Sequence, residues 1–209
     1  MSGKLIILGL GDAFAPIVSL AKTIPDFDDV QVCDLVTADG YTFSLPDMTA
    51  YPKEEWRAFV ALDERGLNMA RTQAVAELKL RGYKLATLVA PDAVLGADAV
   101  VGENCLVGRG AYIGDGTRVV FNSYISDRAL VGNHCVINKS CFVGKGVTID
   151  NKVVLADFVT LGTGVHLQEG TQVGKSSELR HRKSYGGTIA DKTFYLDIFP
   201  NPVEIISPL

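Results

Sequence analysis

The chain has 209 residues, 47% of them hydrophobic and 8% aromatic, enough apolar material for one sizeable domain or two small ones sharing an interface, which excludes a disordered chain. Lys and Arg number 20 against 24 Asp and Glu, and a net charge of -4 leaves no bulk positive charge to hold a nucleic-acid backbone or an acidic membrane. No run of 18 apolar residues occurs and the N-terminal stretch meets Asp12 too early for a signal-peptide core, so the chain reads as cytoplasmic, with no nucleic acid and no membrane among its expected partners.

Residues 4–8 (KLIIL) are a continuous apolar run that predicts a buried strand, followed by a tight turn at Gly9-Leu10-Gly11 and an apolar-rich helix over 14–22 that stops before Pro25. A second strand is expected over 30–34. A Pro- and Asp-rich connection then passes Trp56 to a third strand near 59–62. Helical spacing at Leu67, Ala70, Ala74 and Leu78 predicts a helix over 67–81, ended by Gly82. Residues 1–84 therefore read as a small α/β unit with nucleotide-binding character. Gly9, Gly11 and Asp34, at the end of the second strand, are half of a dinucleotide fingerprint, because Phe14 stands where a third Gly or Ala belongs. Two readings stay open there: a ligand-binding loop, or a turn that lets strand and helix pack.

From Val89 to Leu179 every sixth residue is Val, Ile or Leu, and four places after each of these, up to Ser177, comes a residue no larger than Val. A fixed period of six fits neither the 3.6-residue helix repeat nor an uneven antiparallel meander. It fits a β-solenoid over 85–180, in which each hexapeptide is a short strand plus a corner and three make a triangular coil, giving about five coils. Glycine, 21 residues in all, is explained by the corners: Gly96, Gly102, Gly108, Gly114, Gly132, Gly144, Gly162 and Gly174 directly follow the aliphatic residue, and Gly110, Gly116, Gly146, Gly164 and Gly170 lie two places further on. Asp92, Asp98, Asn104 and Asn122 fill the later position elsewhere. Cys33, Cys105, Cys135 and Cys141 have no CxxC pair and no His at zinc spacing, so free, buried thiols are expected rather than a metal site or a disulfide framework. In the tail, 181–209, Tyr185, Phe194, Tyr195 and Phe199 read as a cap over the open coil end.

A short Rossmann-like half followed by an uninterrupted hexapeptide prism resembles the left-handed β-helix acyltransferases that acetylate nucleotide-linked amino sugars or sialic acid in bacterial surface-glycan pathways. The likeness covers about residues 4–179 and rests on KLIILGLGDAF, on RGYKLATLVAPDAVLG and on the repeat series. The resemblance implies the left hand of the coil, a homotrimer, a nucleotide sugar on the N-terminal unit and acetyl-CoA along the prism between subunits. The usual Gly-Asn-Pro-Ala ending is replaced by Pro200-Asn201-Pro202.

The family's Glu-His-Asp triplet aligns with Ser126-Asp127-Arg128, so Asp127 occupies the place of the catalytic His. An aspartate with a pKa near 3.9 is a poor base for an amine or alcohol, and Arg109 and Lys145, 18 residues to either side, would hold it ionised; a corner salt bridge is the alternative to a base. His134 offers a second base, or else a corner residue in left-handed conformation. His166 is expected to point outward from a strand. Resemblance assigns Gly146 and Gly164 main-chain contacts to the pantetheine arm. Lys175, Arg180, Arg182 and Lys183 form a basic end that would meet CoA phosphates or simply be solvated. No metal is expected, since His134 and His166 are not a whole number of coils apart. The implied function is a CoA-dependent acetyl or acyl transfer to the amino or hydroxyl group of a nucleotide-linked sugar; the alternative is a hexapeptide scaffold that binds without chemistry.

Overall fold

The computed structural model describes residues 3–12, 14–40, 42–196, 198, 201, 203 and 204; Phe199, Pro200 and Pro202 lie outside these. The apolar run at the N-terminus forms β1 (Gly3–Gly9), followed by α1 (Phe14–Ala21), β2 (Phe27–Asp34), β3 (Val36–Thr37), β4 (Phe43–Ser44), β5 (Trp56–Ala61) and α2 (Met69–Leu80). β1 lies centrally in a three-stranded parallel sheet of order β2-β1-β5. Residues 5–8 are fully buried because α1 covers one side chain parity and α2 the other. The Rossmann-like description reduces to this small parallel sheet, because β2 reaches β5 through the β3–β4 antiparallel pair and, among the described residues, no helix.

The period of six becomes a three-faced parallel prism. The first face starts with Leu88–Val89, the second with Val94–Leu95 and the third with Val100–Val101, and each strand pairs with the one 18 residues later. The second residue of each strand and the small corner residue point inward, forming one continuous core from Cys105 to Ile189. The five expected coils are six. Ser184–Tyr185, Thr188–Ile189 and Thr193–Tyr195 extend all three faces, but Gln172 pairs with Thr188 and Glu178 with Phe194, 16 residues on. The aliphatic series stops at Leu179 because Tyr185 takes the next in-phase position, and the corner after it is two residues short. Val203–Glu204 then runs antiparallel to Thr193–Tyr195.

The glycines serve two different purposes. Gly116, Gly146 and Gly164 sit in the left-handed region, at φ 64°, 61° and 71°. Gly96 and Gly108 do not; they are required because a Cβ there would stand 2.3 Å from Asp115 Oδ1 and 2.5 Å from Asp127 Oδ1 on the next coil. Those oxygens accept main-chain N–H bonds one coil back: Asp115 from Ala97 (2.8 Å), Asn133 from Asp115 (2.9 Å), Asn151 from Asn133 (2.8 Å) and Asp127 from Arg109 (2.9 Å). A corner aspartate or asparagine over a glycine thus fastens successive coils.

The N-terminal unit docks on the first face of the prism. Phe59 stacks on Tyr124 with ring centroids 5.8 Å apart, and the Tyr124 hydroxyl donates to the Val60 carbonyl. Along the edge leading from the third face into the first, Asn104 and Asn122 are buried. Asn104 Oδ1 accepts the Val60 N–H (2.9 Å), and Asn104 Nδ2 donates to Asn122 Oδ1 (2.8 Å). Into this edge α2 inserts Arg71, fully buried, donating to Asn122 Oδ1, Asn122 O, Leu62 O and Cys141 O, with its guanidinium 3.9 Å from the Tyr124 ring centroid. Burial pushes the Arg71 pKa down, and four acceptors plus the ring face compensate the lost hydration.

Replacing Arg71 with Met is expected to destabilise the protein by about 3 kcal/mol or more, since it leaves several buried acceptors unpaired; the midpoint of urea unfolding measures it. Burial lifts the Cys105 thiol to about 11 and Cys141 to about 12, and raises Cys135 as well. Native protein at pH 8 is therefore expected to expose only Cys33 to a thiol reagent, with the other three reacting after denaturation. Because the folded pKa values lie above the ordinary 9.0, the stability these thiols supply is present below pH 9 and lost as pH climbs toward 12.

Candidate functional site

The carboxyl ends of the three parallel strands converge on one side of the N-terminal unit, the usual position for a ligand crevice in such sheets. β1 ends in Gly9, in register with Asp34 on β2 and Ala61 on β5. Gly9 is needed for close packing, because a Cβ there would be 2.4 Å from the Ala61 carbonyl. Gly11 is left-handed at φ 82°, and its Cβ would stand 2.9 Å from the Arg65 guanidinium. Asp34 is exposed at the strand end.

Beyond β5 the chain runs through Asp63-Glu64-Arg65 into three successive left-handed residues, Gly66, Leu67 and Asn68, at φ 56°, 53° and 63°. Leucine in that region is strained. Asn68 is buried, donating to Thr160 Oγ1 at 3.2 Å while its Oδ1 has no partner among the described residues. Strain and an unpaired oxygen in the segment that presents three charged side chains are the pattern of a segment held for function.

Between this segment, α1 and the edge that leads from the first face to the second lies a cavity of about 550 Å³. Its apolar wall is Ile17, Leu20, Leu106, Tyr124 and Phe142; Asp12, Asp63, Glu64, Asp127, Arg109 and Lys145 supply its charges. A second recess of about 360 Å³, lined by Gly40, Asp63, Glu64, Arg65 and Arg180, shares the Asp63–Glu64 wall. Together they form one groove between the N-terminal unit and the prism edge. Arg65 grips Asp63 through both nitrogens, Nε and Nη2, each at 2.6 Å. Burial pushes the Asp63 carboxyl up, but the Arg65 side-chain and main-chain hydrogen bonds, with the Arg65 and Arg71 charges, outweigh it and hold Asp63 below its usual range.

Asp127 lies in this groove. The expected ion pair with Arg109 is replaced by a bond from the Arg109 main-chain N–H to Asp127 Oδ1. Gly146 and Gly164 follow on the same edge in successive coils, and Arg180 one coil below Gly162. Arg180 is committed to Glu178 and to Glu64 (3.3 Å), which outweigh its burial and raise its pKa. The basic end is not one cluster. Lys175 sits on another edge, its main-chain N–H donating to Asp191 and its Nζ 5.8 Å from the Phe158 ring centroid, while Lys183 Nζ lies 5.0 Å and 4.5 Å from the ring centroids of Tyr185 and Tyr195. His134 is exposed on the edge between second and third faces, left-handed at φ 55° and seated over Gly116, and does not line the groove. Among the described residues no group of His, Cys, Asp and Glu could hold a metal ion. Arg65, Asp63 and Glu64 escaped the sequence reading, although a charged triplet directly after an apolar strand was the available signal.

A family model described as the GMPPB C-terminal domain matches residues 84–185, the prism alone. No curated protein matches. Among solved structures, the acetyltransferase domain of PglB from Neisseria gonorrhoeae FA1090, in complex with acetyl coenzyme A, superposes with a TM-score of 0.80 at 20% identity over 93% of this chain and 96% of that one. PerB from Caulobacter crescentus, in complex with CoA and GDP-perosamine, gives 0.78 at 21% identity over 92% and 93%, and WeeI from Acinetobacter baumannii AYE 0.79 at 12% identity over 97% and 100%. At these identities the likeness is one of fold, the hexapeptide-repeat left-handed β-helix with its small N-terminal unit.

The corner bond of Asp127 yields a prediction. Asp127→Asn keeps the Oδ1 acceptor and is expected to leave stability unchanged, whereas Asp127→Ala is expected to cost about 1 kcal/mol; paired thermal unfolding curves compare the two.

Proposed function

We propose that the chain is a CoA-dependent acetyltransferase acting on the amino or hydroxyl group of a nucleotide-linked sugar in surface-glycan biosynthesis. One observation carries the reading: two recesses that share Asp63 and Glu64 lie between the segment after β5 and the prism edge of Arg109, Asp127 and Lys145, so a nucleotide and a thioester would have adjacent places. The PerB likeness, a protein seen with both CoA and GDP-perosamine, supports the pairing of ligands.

In this reading Gly9 and Gly11 form the turn against which the nucleotide lies, Asp34 accepts from its ribose, and Arg65 stands where a diphosphate would pass. Main-chain groups at Gly146 and Gly164 hold the pantetheine arm, with Arg180 on the same edge nearest the CoA phosphates and Lys175 apart from them on another edge. The acceptor nitrogen or oxygen attacks the thioester carbonyl, the C–S bond breaks, and the acceptor's proton passes by way of a base to the departing thiolate. Asp127 lines the groove with Oδ1 engaged in its corner bond, and His134, which does not line it, is the base in this reading, reaching the groove of a neighbouring copy in a homotrimer. Val94, Tyr112 and Leu130, stacked and 55%, 38% and 48% exposed on the second face, are the surface such a trimer would cover. The domain division at 84 and 180 and a cytoplasmic location belong to the same proposal.

Release of free thiol from acetyl-CoA in the presence of UDP-, GDP-, dTDP- or CMP-linked sugars is the test. With an active sugar found, Arg65→Ala is expected to weaken nucleotide-sugar binding about tenfold, the loss of a charge-assisted fork, read by calorimetry. His134→Ala is expected to lower kcat strongly and Asp127→Asn to spare it; the opposite result moves the base to Asp127.

A second reading is favoured by the engagement of Asp127 Oδ1 in a structural bond at the position where the resemblance puts a catalytic His. It makes the chain a binding scaffold without chemistry. Calorimetry showing nucleotide-sugar binding, no acetyl-CoA binding and no thiol release would select it.

A further inference from the structure

The second face carries a hydrogen-bonded chain of a hydroxyl, an imidazole and a carboxylate, outside the groove. His166 and Ser184 are outward residues of adjacent strands in direct register, one coil apart. His166 Nδ1 lies 2.8 Å from Ser184 Oγ, and His166 Nε2 lies 3.1 Å from Asp150 Oδ2, on the corner of the coil above. All three are reachable from solvent, with the His166 side chain 36% and Asp150 41% exposed. A carboxylate only accepts, so in the neutral ring the proton sits on Nε2, pointing at Asp150. Nδ1 is then left with its lone pair toward Ser184, whose hydroxyl donates to it. This is the arrangement that activates a serine: a base within hydrogen-bond reach, oriented by a third group.

Its origin is the register of the solenoid. Positions 18 apart face the same way on neighbouring coils, so Thr148, His166 and Ser184 form one outward column. Apolar Val94, Tyr112 and Leu130 occupy the same column in the preceding coils. The corner carboxylate of Asp150 leans back over His166, whereas Asp127 and Asp115 bend to the main chain of the coil before them.

We propose that Ser184, His166 and Asp150 form a second acyl-handling site, at which Ser184 is a nucleophile toward activated esters and thioesters. Ser184 Oγ bonds to the acyl carbon, the bond from that carbon to the leaving oxygen or sulfur breaks, the serine proton moves to His166 Nδ1 and from there to the leaving group. The product is an acetyl ester on Ser184, which water or an acceptor alcohol or amine later removes. No co-reactant beyond the acyl donor is consumed. The proposal is independent of the transfer reaction assigned to the groove.

The intact protein is treated with p-nitrophenyl acetate, a probe that needs neither CoA nor nucleotide sugar, while nitrophenolate is followed by absorbance and the acetylated residue is located by peptide mass mapping. The expected result is one acetyl group on Ser184 and an initial release about a hundredfold faster than from Ser184→Ala or His166→Ala, the gain typical of one positioned base. Asp150→Asn is expected to slow it nearly as much as His166→Ala, since the amide can donate to Nε2 and move the ring proton to Nδ1, where it no longer accepts from Ser184. Ser184 is exposed and His166 and Asp150 are half-buried, and circular dichroism of each variant checks that the prism is intact. Acetylation absent from Ser184, or release unchanged in Ser184→Ala and His166→Ala, overturns the proposal.

Discussion

The guanidinium of Arg71 holds the two halves of the molecule in the one relation that produces a groove. It is a charge withdrawn from water with no carboxylate in direct ion-pair contact among the described residues, compensated by carbonyl and amide oxygens contributed from both halves and by the face of Tyr124. A cation paired with a carboxylate could slide with its partner. One held by Leu62 O on the sheet side and by Asn122 and Cys141 on the prism side tolerates only one docking, because any shift would strand buried acceptors. Leu62 lies directly before Asp63-Glu64-Arg65, so the same contact fixes the height at which those charges meet the prism edge.

Docking in turn uses what the solenoid leaves over. A parallel coil buries its inward residues by itself, and its outward residues are free to be chosen. On the first face they are Leu88, Leu106, Tyr124 and Phe142, apolar because the sheet of β1, β2 and β5 with α1 covers them. On the second face they turn from apolar to polar along the column, ending in His166 and Ser184. On the edge before the first face they are Asn104, Asn122 and Ser140, left-handed residues whose side chains are bonded to α2 or its neighbours. One period thus generates three surfaces with separate tasks.

Much of this could be read in the sequence. The period of six gives the prism, its inward residues and the free thiols, since a two-position rule repeated over fifteen hexapeptides admits no other fold. The sixth coil was hidden by two local causes: Tyr185 in place of an aliphatic residue, and the two-residue deficit at the corner before Thr188, which shifts Ile189 out of phase with Val173. Glycines were recognised as corner residues, but only geometry separates those that need a left-handed φ from those, such as Gly108, that make room for Asp127. Asn104 and Asn122 were read as corner residues because nothing in the repeat says which edge will face a second domain. Arg65 and Arg71 were missed for a related reason: their importance comes from convergence across 25 to 70 positions of sequence, which no spacing rule encodes.

The presence of aspartate at 127 follows from the same corner chemistry. Asp127 does on its edge what Asp115, Asn133 and Asn151 do on the next: its Oδ1 fastens the coil above through a main-chain N–H. The repeat itself therefore favours Asx there, whatever the reaction. Asp127 also lines a groove whose other charges are largely committed, Asp63 to Arg65 and Glu64 to Arg180. Arg109 and Lys145 line the same groove without an ion pair to it among the described residues. Corner chemistry accordingly accounts for Asp127 by itself, since one of its carboxylate oxygens closes a coil-to-coil bond that any chemistry in the groove must leave in place.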